Sequence, residues 1–469
     1  MSITSMLFSF LFLPLALAIY YLSNESVKEY VLFIISLFFY SFGSTDYILL
    51  FLLSIGVTVL IGRTIANVES DIKKRGLLTI GIVFNVAFLF YFKYFNFSIA
   101  TWAQITGNEV ELKEILLPLG ISFYTFKAIS YLADVYRGKA ILEEDIVHDL
   151  LYLSFFSQIQ SGPITRYNDC KRIDNSKADN FSDGAIRFMI GFNKKVLIAN
   201  VLANITNEIF NAPFESFSTS YAWFGSICYS LQLFFDFAGY SDMAIGITEM
   251  FGYSCMENFN YPYMTESVSK FWRRWHISLS EWFRDYIYIP LGGSRSKNKA
   301  KVYFNLLVVW LLTGIWHGAA WNFILWGLGY FVMIAFERVT GLPDKFKTSF
   351  GKVIYRVFSL LFINFQWVMF NSKDVIDGLR FIKRMVIYQS NDLANVRVLF
   401  LLKDNAFFII LAVVLCFPIV PWIRKKLIDR VAAFKAFEVA EYSIIIAAFI
   451  WAISFVVAGQ NNPFAYANF

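Results

Sequence analysis

The chain has 469 residues, of which 57% are hydrophobic, 19% aromatic and only 16% charged, with a net charge of +6. Soluble domains carry roughly 25% charged and 45–50% apolar residues, so this composition excludes an ordinary soluble protein and predicts a polytopic membrane protein. The positive charge lies mainly between apolar runs, which indicates membrane topology and argues against a nucleic-acid partner.

Apolar runs of the length that crosses a bilayer, about 20 residues, follow one another along the chain. The first is interpreted as a retained span rather than a cleaved signal peptide, because no basic residues precede it. The stretch 148–163 is short and polar, which favours a re-entrant or in-plane element. The predicted spans lie near 5–22, 30–43, 47–62, 76–92, 115–134, 184–206, 221–250 (long or broken), 302–317, 319–338, 352–370, 405–423 and 441–459.

Lys and Arg cluster in loops that the positive-inside rule places in the cytoplasm, so both termini are predicted outside it. The basic, amphipathic stretch 375–388 is the cluster that this topology places on the opposite side. We predict an all-α fold with about 11–13 spanning or re-entrant helices in one membrane-embedded domain, residues 1–469. The basic loops are 63–75, 135–139, 171–177, 260–301, 338–352 and 424–435.

His317 lies in TGIWHGAAWNFILWG, within an otherwise apolar predicted span. A titratable side chain at membrane depth is costly and indicates a functional site, although a structural histidine bonded to a neighbouring helix is the alternative. Gly314 and Gly318 would let helices or a thin substrate approach closely, and Trp316 would wall a narrow channel. We therefore predict that His317 lies at a reacting centre.

His276 lies in KFWRRWHISLSEWFRDYIYIPLGGSR, which we interpret as a helix at the cytoplasmic interface. In a continuous helix, His276, Ser280 and Arg284 would share a face with Arg273, opposite the tryptophans. Together with Arg274, this basic face would suit a phosphate-bearing donor, because guanidinium groups pair well with phosphate oxygens. Attraction to anionic membrane lipid is the alternative, and the histidine favours the donor.

Two acids, Asp236 and Asp242, lie inside the apolar segment QLFFDFAGYSDMAIG. They are candidates for lining a polar tunnel or for orienting a histidine. Alternatively, they pair with Lys194 and Lys195, which interrupt a neighbouring predicted span, and we favour this structural pairing.

The other reactive side chains give weaker signals. His148 follows Glu143, Glu144 and Asp145 in a polar loop and is interpreted as a solvated surface group. The four cysteines lack the spacing of a disulfide framework or of a metal site, so no metal is predicted. The sequence has no nucleophile elbow, zinc-protease motif or Walker loop, which disfavours hydrolase, protease and ATPase functions.

Five segments, in order and over nearly the whole chain, resemble the membrane-bound O-acyltransferase family. The YIPLGG ending of the fourth is similar to the branch with the membrane subunits of alginate and peptidoglycan O-acetylation, more than to the D-alanyl transfer protein of teichoic acids. The segments are PLGISFYTFKAISYLADVYRGK at 118–139, SGPITRY at 161–167, FFDFAGYSDMAIG at 234–246, FWRRWHISLSEWFRDYIYIPLGG at 271–293 and TGIWHGAAWNFILWG at 313–327.

The resemblance implies a ring of tilted helices around a thin tunnel in a bacterial plasma membrane. It implies that His317 matches the invariant family histidine and His276 a second histidine on the cytoplasmic side. A cytoplasmic thioester, expected to be acetyl-coenzyme A, would be the donor substrate, with no bound cofactor. An exported serine esterase-like partner would complete transfer to a polysaccharide.

The last residues, FAYANF at 464–469, resemble the C-terminal F-x-Y-x-x-F motif of envelope acylation systems. In that motif the tyrosine carries the acyl group, which makes Tyr466 a candidate acyl relay. A phenol can act as an acyl-accepting nucleophile. The alternative is an aromatic tail in 460–469 resting at the membrane interface.

The expected mechanism has His317 take the proton from an acceptor hydroxyl, that of Tyr466 or of a partner serine, as it attacks the thioester. Backbone N–H groups, Asn322 and tryptophan indoles remain open as oxyanion donors. The rival functions are acyl transfer to lipid, protein or teichoic acid, transport of an envelope precursor, and a structural scaffold. No internal repeat typical of transporters is found.

Overall fold

The structure, a computed structural model, describes residues 2–173 and 177–459. These residues form helices and connecting loops, and within these two ranges no β-strand occurs apart from one isolated bridge between Arg172 and Tyr253. This confirms the predicted all-α class. Tyr466 and the tail 460–469 lie outside the described residues.

The helices are numbered in chain order. The earlier ones are α1 Leu13–Leu22, α2 Lys28–Gly43, α3 Ile48–Asn67, α4 Asp71–Leu89, α5 Phe95–Thr106, α6 Ile121–Tyr136, α7 Ile146–Ser154, α8 Phe156–Ile159, α9 Lys177–Asn193, α10 Asn200–Phe210 and α11 Thr219–Met250. The later ones are α12 Val268–Phe271, α13 Ile277–Phe283, α14 Lys299–His317, α15 Trp321–Thr340, α16 Leu342–Lys345, α17 Ser349–Asn371, α18 Val375–Val386, α19 Asp392–Asp404, α20 Ala406–Leu415, α21 Ile419–Leu427 and α22 Val431–Val457. Four π-helical turns occur in the described chain, at Phe8–Phe12, Phe90–Tyr94, Lys194–Ala199 and Arg284–Tyr288.

The described chain forms two compact units. The first comprises the residues up to Phe188 together with Ala244–Met256, and the second comprises Met189–Met243 and the residues from Glu257 onward. The division falls within α9 and within α11. The single domain expected over 1–469 stays a prediction.

Among the described residues, eight helical segments are long and apolar enough to cross a membrane, or nine if α19 and α20, bent by 72°, count as one span. Each of the eight overlaps a span predicted from the sequence, which confirms a multi-pass membrane protein. They are Glu25–Gly43, Thr45–Asn67, Asp71–Thr106, Asp179–Phe210, Lys299–His317, Trp321–Thr340, Ser349–Asn371 and Val431–Val457.

Other predicted spans differ in their bounds. The span expected from residue 115 begins only at Ile121, because Gly120 takes a left-handed conformation, with φ of 68°, and packs against the backbone of Ile159. The span expected over 405–423 ends at Leu415 instead, since Pro418 cannot continue the helix. The segment 221–250 is long and unbroken.

The short polar stretch 148–163 forms α7 and α8 and is almost entirely buried in the first unit. Its polar side chains are bonded within the protein: Gln158 Oε1 accepts a hydrogen bond of 3.1 Å from Lys127 Nζ, and Ser157 Oγ lies 2.9 Å from Thr248 Oγ1. Polar groups at membrane depth need such partners. The short polar stretch is thus two short helices whose polar groups have protein partners, and its re-entrant or in-plane placement stays a prediction.

His148 is not the solvated group that the sequence suggested. Its Nδ1 atom lies 3.2 Å from Glu29 Oε1, and its ring packs edge-on against Tyr167. The expectation was wrong because the partner of His148, the half-buried Glu29 on α2, is 119 positions away in sequence. His148 also lines a cavity of about 650 Å³ in the first unit, together with several acids and Arg172.

Candidate active site

His317 is the last residue of α14, and the backbone turns extended at Gly318. Only 1% of its surface is exposed. The ring is enclosed by aromatic side chains, with centroid distances of 4.9 Å to Trp316, 4.8 Å to Trp326 and 5.3 Å to Phe370, all nearly perpendicular. A titratable ring is thus held in one orientation inside an aromatic wall.

Small residues bring α14 and α15 together around this histidine. A Cβ atom on Gly314 would lie 2.5 Å from the carbonyl oxygen of Phe323, and one on Gly318 would meet the ring of Phe323. Gly327 on α15 packs in the same way against the carbonyl of Trp310. These contacts confirm that the glycines near His317 serve close packing of helices.

His276 lies at a break between α12 and α13, and not within a continuous helix. Its backbone has φ of 45°, a left-handed conformation that is costly for a residue with a side chain. His276 is fully buried, whereas Arg273 and Arg284 are exposed, so the predicted shared face was wrong. The periodicity argument failed because it assumed that the helix runs through residue 276.

Asn258 holds the imidazole of His276 from the preceding loop. Its Oδ1 atom lies 3.1 Å from His276 Nδ1, 3.3 Å from the backbone nitrogen of Ser278 and 2.9 Å from Ser278 Oγ. The backbone carbonyl of Asn258 accepts a hydrogen bond of 3.0 Å from the Ile277 N–H, and its Nδ2 donates to Ser241 Oγ. Sequence reasoning missed Asn258, which stands as a polar residue in the aromatic run ENFNYPY.

Trp316 contacts both imidazoles. Its ring centroid is 5.9 Å from that of His276 and 4.9 Å from that of His317. The tryptophans of the WRRWH segment join the same aromatic core, since Trp272 packs at 5.6 Å from Trp326 and Trp275 at 4.9 Å from Trp367. The structure therefore brings the two predicted histidines to one indole.

Comparison with known proteins gives the enzyme class of the chain. Residues 145–373, which include both histidines, match the profile of the MBOAT, membrane-bound O-acyltransferase family. A probable alginate O-acetylase from Pseudomonas syringae pv. tomato is 41% identical over 387 residues, which cover 80% of this chain and 73% of the relative. The chain belongs to the membrane-bound O-acyltransferase family. It is therefore an acyltransferase with a multi-pass membrane fold.

Two further relatives of this acyltransferase act on envelope polymers according to their names. A peptidoglycan O-acetyltransferase from Helicobacter pylori is 35% identical over 416 residues, covering 81% of this chain and 79% of the relative. A teichoic acid D-alanyltransferase from Bacillus subtilis is 33% identical over 282 residues, covering 54% of this chain and 69% of the relative.

The predicted donor-binding residues of the acyltransferase differ in their surroundings. Arg273 and Arg274 are exposed and line a cavity of about 380 Å³ with Lys270 and Glu266. In the described ranges no carboxylate lies within ion-pair distance of either guanidinium. These two arginines are available to an anionic ligand.

Two other donor-binding candidates have partners in the protein. Arg284 binds Asp285 at 2.6 Å and Glu281 at 3.3 Å, and the Ser280 hydroxyl donates to the carbonyl of Trp272 at 3.0 Å. The contacts of Arg284 and Ser280 favour structural roles in α13 and in the π-helical turn that follows it.

The acids of α11 form the ion pairs that the sequence favoured. Asp236 Oδ1 lies 2.5 Å from Lys195 Nζ, with both side chains almost completely buried, and Asp242 Oδ2 lies 2.6 Å from Lys194 Nζ. The two lysines are adjacent in the π-helical turn Lys194–Ala199. These charges serve to join helices of the second unit.

Asn322 is buried at the start of α15, and its Nδ2 donates to the carbonyls of Ser372, at 2.9 Å, and Met369, at 3.5 Å. Both hydrogens of this amide are therefore used in joining α15 to the end of α17. This arrangement favours a structural role over that of an oxyanion donor.

Trp326 is better suited than Asn322 to stabilise an oxyanion. Its indole is fully buried and its ring packs against His317. Within residues 2–173 and 177–459, no acceptor lies within hydrogen-bond reach of its Nε1 atom. A buried N–H donor without an acceptor in the described chain, on a ring that packs against the histidine, is available to a substrate oxygen.

Proposed function

We propose that this acyltransferase moves an acyl group, acetyl in the first instance, from a cytoplasmic thioester across the membrane for O-acetylation of an envelope or exported polysaccharide. The observation that carries the proposal is the buried His317, held in an aromatic wall that includes Trp326, whose buried indole N–H has no acceptor among the described residues. The names of the relatives, an alginate O-acetylase and a peptidoglycan O-acetyltransferase, support the acetyl group and the polysaccharide acceptor.

In the proposed reaction, His317 is the general base. The proton of the acceptor hydroxyl passes to a ring nitrogen of His317 while the hydroxyl oxygen attacks the carbonyl carbon of the thioester. The tetrahedral oxyanion is stabilised by the indole N–H of Trp326. The carbon–sulfur bond then breaks, and the departing thiolate takes the proton back from the imidazolium. An ester and a free thiol are the products.

The donor is proposed to bind through Arg273 and Arg274, whose guanidinium groups line the basic cavity beside Lys270. Coenzyme A carries phosphate groups that such forks recognise with paired hydrogen bonds. This cavity lies in the segment 260–301, which the positive-inside rule places in the cytoplasm. Acetyl-coenzyme A is therefore the proposed donor substrate.

The acceptor side involves Tyr466 as a candidate acyl carrier and an exported serine esterase-like partner as the final transferase. We propose that the plasma membrane of a bacterium holds the protein, since both the relay and the partner require an extracytoplasmic side. Replacing Tyr466 by Phe tests the relay: the variant would retain thioester binding and lose transfer to the partner.

The teichoic acid D-alanyltransferase relative favours one alternative, in which the acyl group is D-alanyl. Mass analysis of the ester-linked acyl group on the envelope polymers of cells that express the protein separates the two chemistries. An acetyl ester supports the first proposal, and a D-alanyl ester the second.

The deciding experiment compares wild type, His317→Ala and His148→Ala at matched abundance in the membrane. His148→Ala removes a histidine of the first unit and serves as the control. We expect His317→Ala to abolish thiol release from acetyl-coenzyme A by purified protein and to abolish polysaccharide O-acetyl ester in cells. Wild-type levels of both in folded His317→Ala protein would overturn the proposed mechanism.

A further inference from the structure

The hydrogen bonds of Asn258 determine which of its side-chain atoms faces His276. The backbone N–H of Ser278 can only donate, and it points to one atom of the Asn258 amide at 3.3 Å. That atom must be the oxygen, because an amide nitrogen has no free acceptor. The opposite end of the amide, Nδ2, donates to Ser241 Oγ at 3.0 Å, which agrees with this orientation.

Since Asn258 presents an oxygen, the Nδ1 atom of His276 at 3.1 Å must be a donor. Complete burial lowers the pKa of His276 to about 3, so the ring is neutral and carries a single N–H. The proton is on Nδ1, and Nε2 keeps its lone pair. In the part of the chain that the structure describes, no group donates to Nε2.

We propose that Asn258 is a positioning residue that fixes His276 as the Nδ1–H tautomer, so that Nε2 accepts a hydrogen bond from a substrate O–H or N–H. This inference rests on the proposed function, in which His276 and His317 serve one reaction, and both imidazoles pack against the ring of Trp316. It also excludes one role for His276: an unprotonated Nε2 repels a developing oxyanion and cannot stabilise it. The oxyanion is left to the donors beside His317.

The left-handed backbone at His276 supports a role beyond capping. Asn258 accepts hydrogen bonds from the first two backbone N–H groups of α13: its carbonyl accepts from Ile277, and its Oδ1 accepts from Ser278. A cap alone would not require a non-glycine residue with φ of 45°. Asn258 Oδ1 already accepts from the backbone N–H and the hydroxyl of Ser278. The strained conformation brings the imidazole of His276 to the same oxygen as a third donor.

Nitrogen-15 NMR of histidine tests the tautomer without any turnover. The chain has only three histidines, so the His276 signals of labelled protein in lipid nanodiscs are assigned by their loss in His276→Gln. We expect Nδ1 to be protonated and Nε2 unprotonated in wild type. In Asn258→Leu, which removes the acceptor, we expect a mixture of tautomers or a change to Nε2–H.

A matched control removes another buried amide of the second unit. Asn364 donates to the carbonyl of Ser226 and to Ser230 Oγ, and neither of these hydrogen bonds involves a histidine. Asn364→Leu is therefore expected to leave the His276 tautomer unchanged. An Nε2–H tautomer in wild type, or an unchanged Nδ1–H tautomer in folded Asn258→Leu, would overturn the inference.

Asn258→Asp separates positioning from capping and also serves if Asn258→Leu fails to fold. Aspartate caps a helix as well as asparagine and keeps the acceptor, so a purely structural role predicts an unchanged pH profile. A carboxylate beside Nδ1–H stabilises the imidazolium, so we expect the acid limb of the pH–rate profile to move to higher pH. A profile identical to that of wild type would contradict the inference.

Kinetics of folded Asn258→Leu identify the substrate group that donates a hydrogen bond to His276 Nε2. We expect a loss of at least roughly 10- to 100-fold in kcat/KM, the effect of removing a group that orients a metal-bound histidine. A raised KM for acetyl-coenzyme A would show that an amide N–H of this thioester donates the hydrogen bond. A lowered transfer rate at an unchanged KM for acetyl-coenzyme A would show that the hydroxyl of the acyl acceptor donates it. If thiol release proves independent of His317, the proposed function fails while the NMR result still decides the tautomer.

Discussion

The carboxylate of Glu337 on α15 accepts a hydrogen bond of 2.8 Å from the backbone N–H of Val268, the first residue of α12. It also accepts from the N–H and the hydroxyl of Ser269 and, at 2.9 Å, from the hydroxyl of Tyr355. One buried acid thus anchors the start of the segment that leads to His276.

We predict that Glu337→Leu destabilises the second unit by about 2–4 kcal/mol, because buried donors lose their acceptor. Glu337→Gln keeps one acceptor oxygen and should have a smaller effect. Tyr355→Phe removes one donor only and is the matched control. Thermal unfolding in detergent ranks the stabilities of these three variants. A melting temperature of Glu337→Leu equal to that of wild type would contradict this anchoring role.

The indole N–H of Trp326 gives a prediction about chemistry at His317. Trp326→Phe keeps an aromatic ring against His317 but removes the N–H, so we expect kcat to fall by roughly 10²–10³-fold with little change in donor KM. Trp321→Phe is the control, because Trp321 is an exposed tryptophan at the start of the same helix. Steady-state kinetics of thiol release decide the point. A kcat unchanged in folded Trp326→Phe would exclude the indole as oxyanion donor.

Sequence alone made His317 a candidate because a histidine in an apolar run of small and aromatic residues is costly unless it has a function. The pairing of Asp236 and Asp242 with Lys194 and Lys195 was also predictable, since charges inside apolar segments require partners. The structure confirms these pairs and the close packing at the glycines near His317. Such features are decided by composition within one or two segments.

The break at His276 could not be predicted in the same way. The sequence around it has helical periodicity, and the left-handed conformation depends on hydrogen bonds to Asn258, which is 18 residues distant. The anchoring of Val268 by Glu337 spans 69 residues. Contacts between distant segments determine these features, and no local pattern encodes them.

The cavity beside Lys270 gives a prediction about donor binding. Replacing both Arg273 and Arg274 by Gln should raise KM for acetyl-coenzyme A at least tenfold, because charge-assisted hydrogen bonds to phosphate contribute about 1.5–3 kcal/mol each. Arg284→Gln is the control, since Asp285 and Glu281 already bind that guanidinium. Donor titrations measure the effect, and equal donor KM values for all three proteins would assign the basic cavity to lipid head groups instead.

The buried pair of Lys195 and Asp236 gives a prediction about stability. Asp236→Asn removes the carboxylate charge paired with the buried Lys195, so we expect a loss of about 3–5 kcal/mol. The double variant Lys195→Met, Asp236→Leu should recover much of this loss. The more exposed pair of Lys194 and Asp242 is the internal control, and Asp242→Asn should cost less. If the effects of the single variants Lys195→Met and Asp236→Leu add up to the effect of the double variant, the first pair is not coupled.

The contact between His148 and Glu29 gives a prediction about pH. Burial acts to lower the pKa of His148, but the hydrogen bond and charge of Glu29, with the charges of Glu143 and Asp149, outweigh burial and raise this pKa above its ordinary value of 6.5. The folded state therefore favours the imidazolium. Its stabilisation is complete below pH 6.5 and is lost as the pH rises through the raised pKa.

Melting temperatures of wild type and His148→Gln across this range check the sign. Wild type should exceed the variant in acid, and the difference should shrink as the pH rises, because only the protonated ring gains from Glu29. Glu29→Gln should remove the same pH-dependent difference, since it removes the carboxylate that binds the ring. A difference between wild type and His148→Gln that grows with pH would show that His148 is bound in its neutral form.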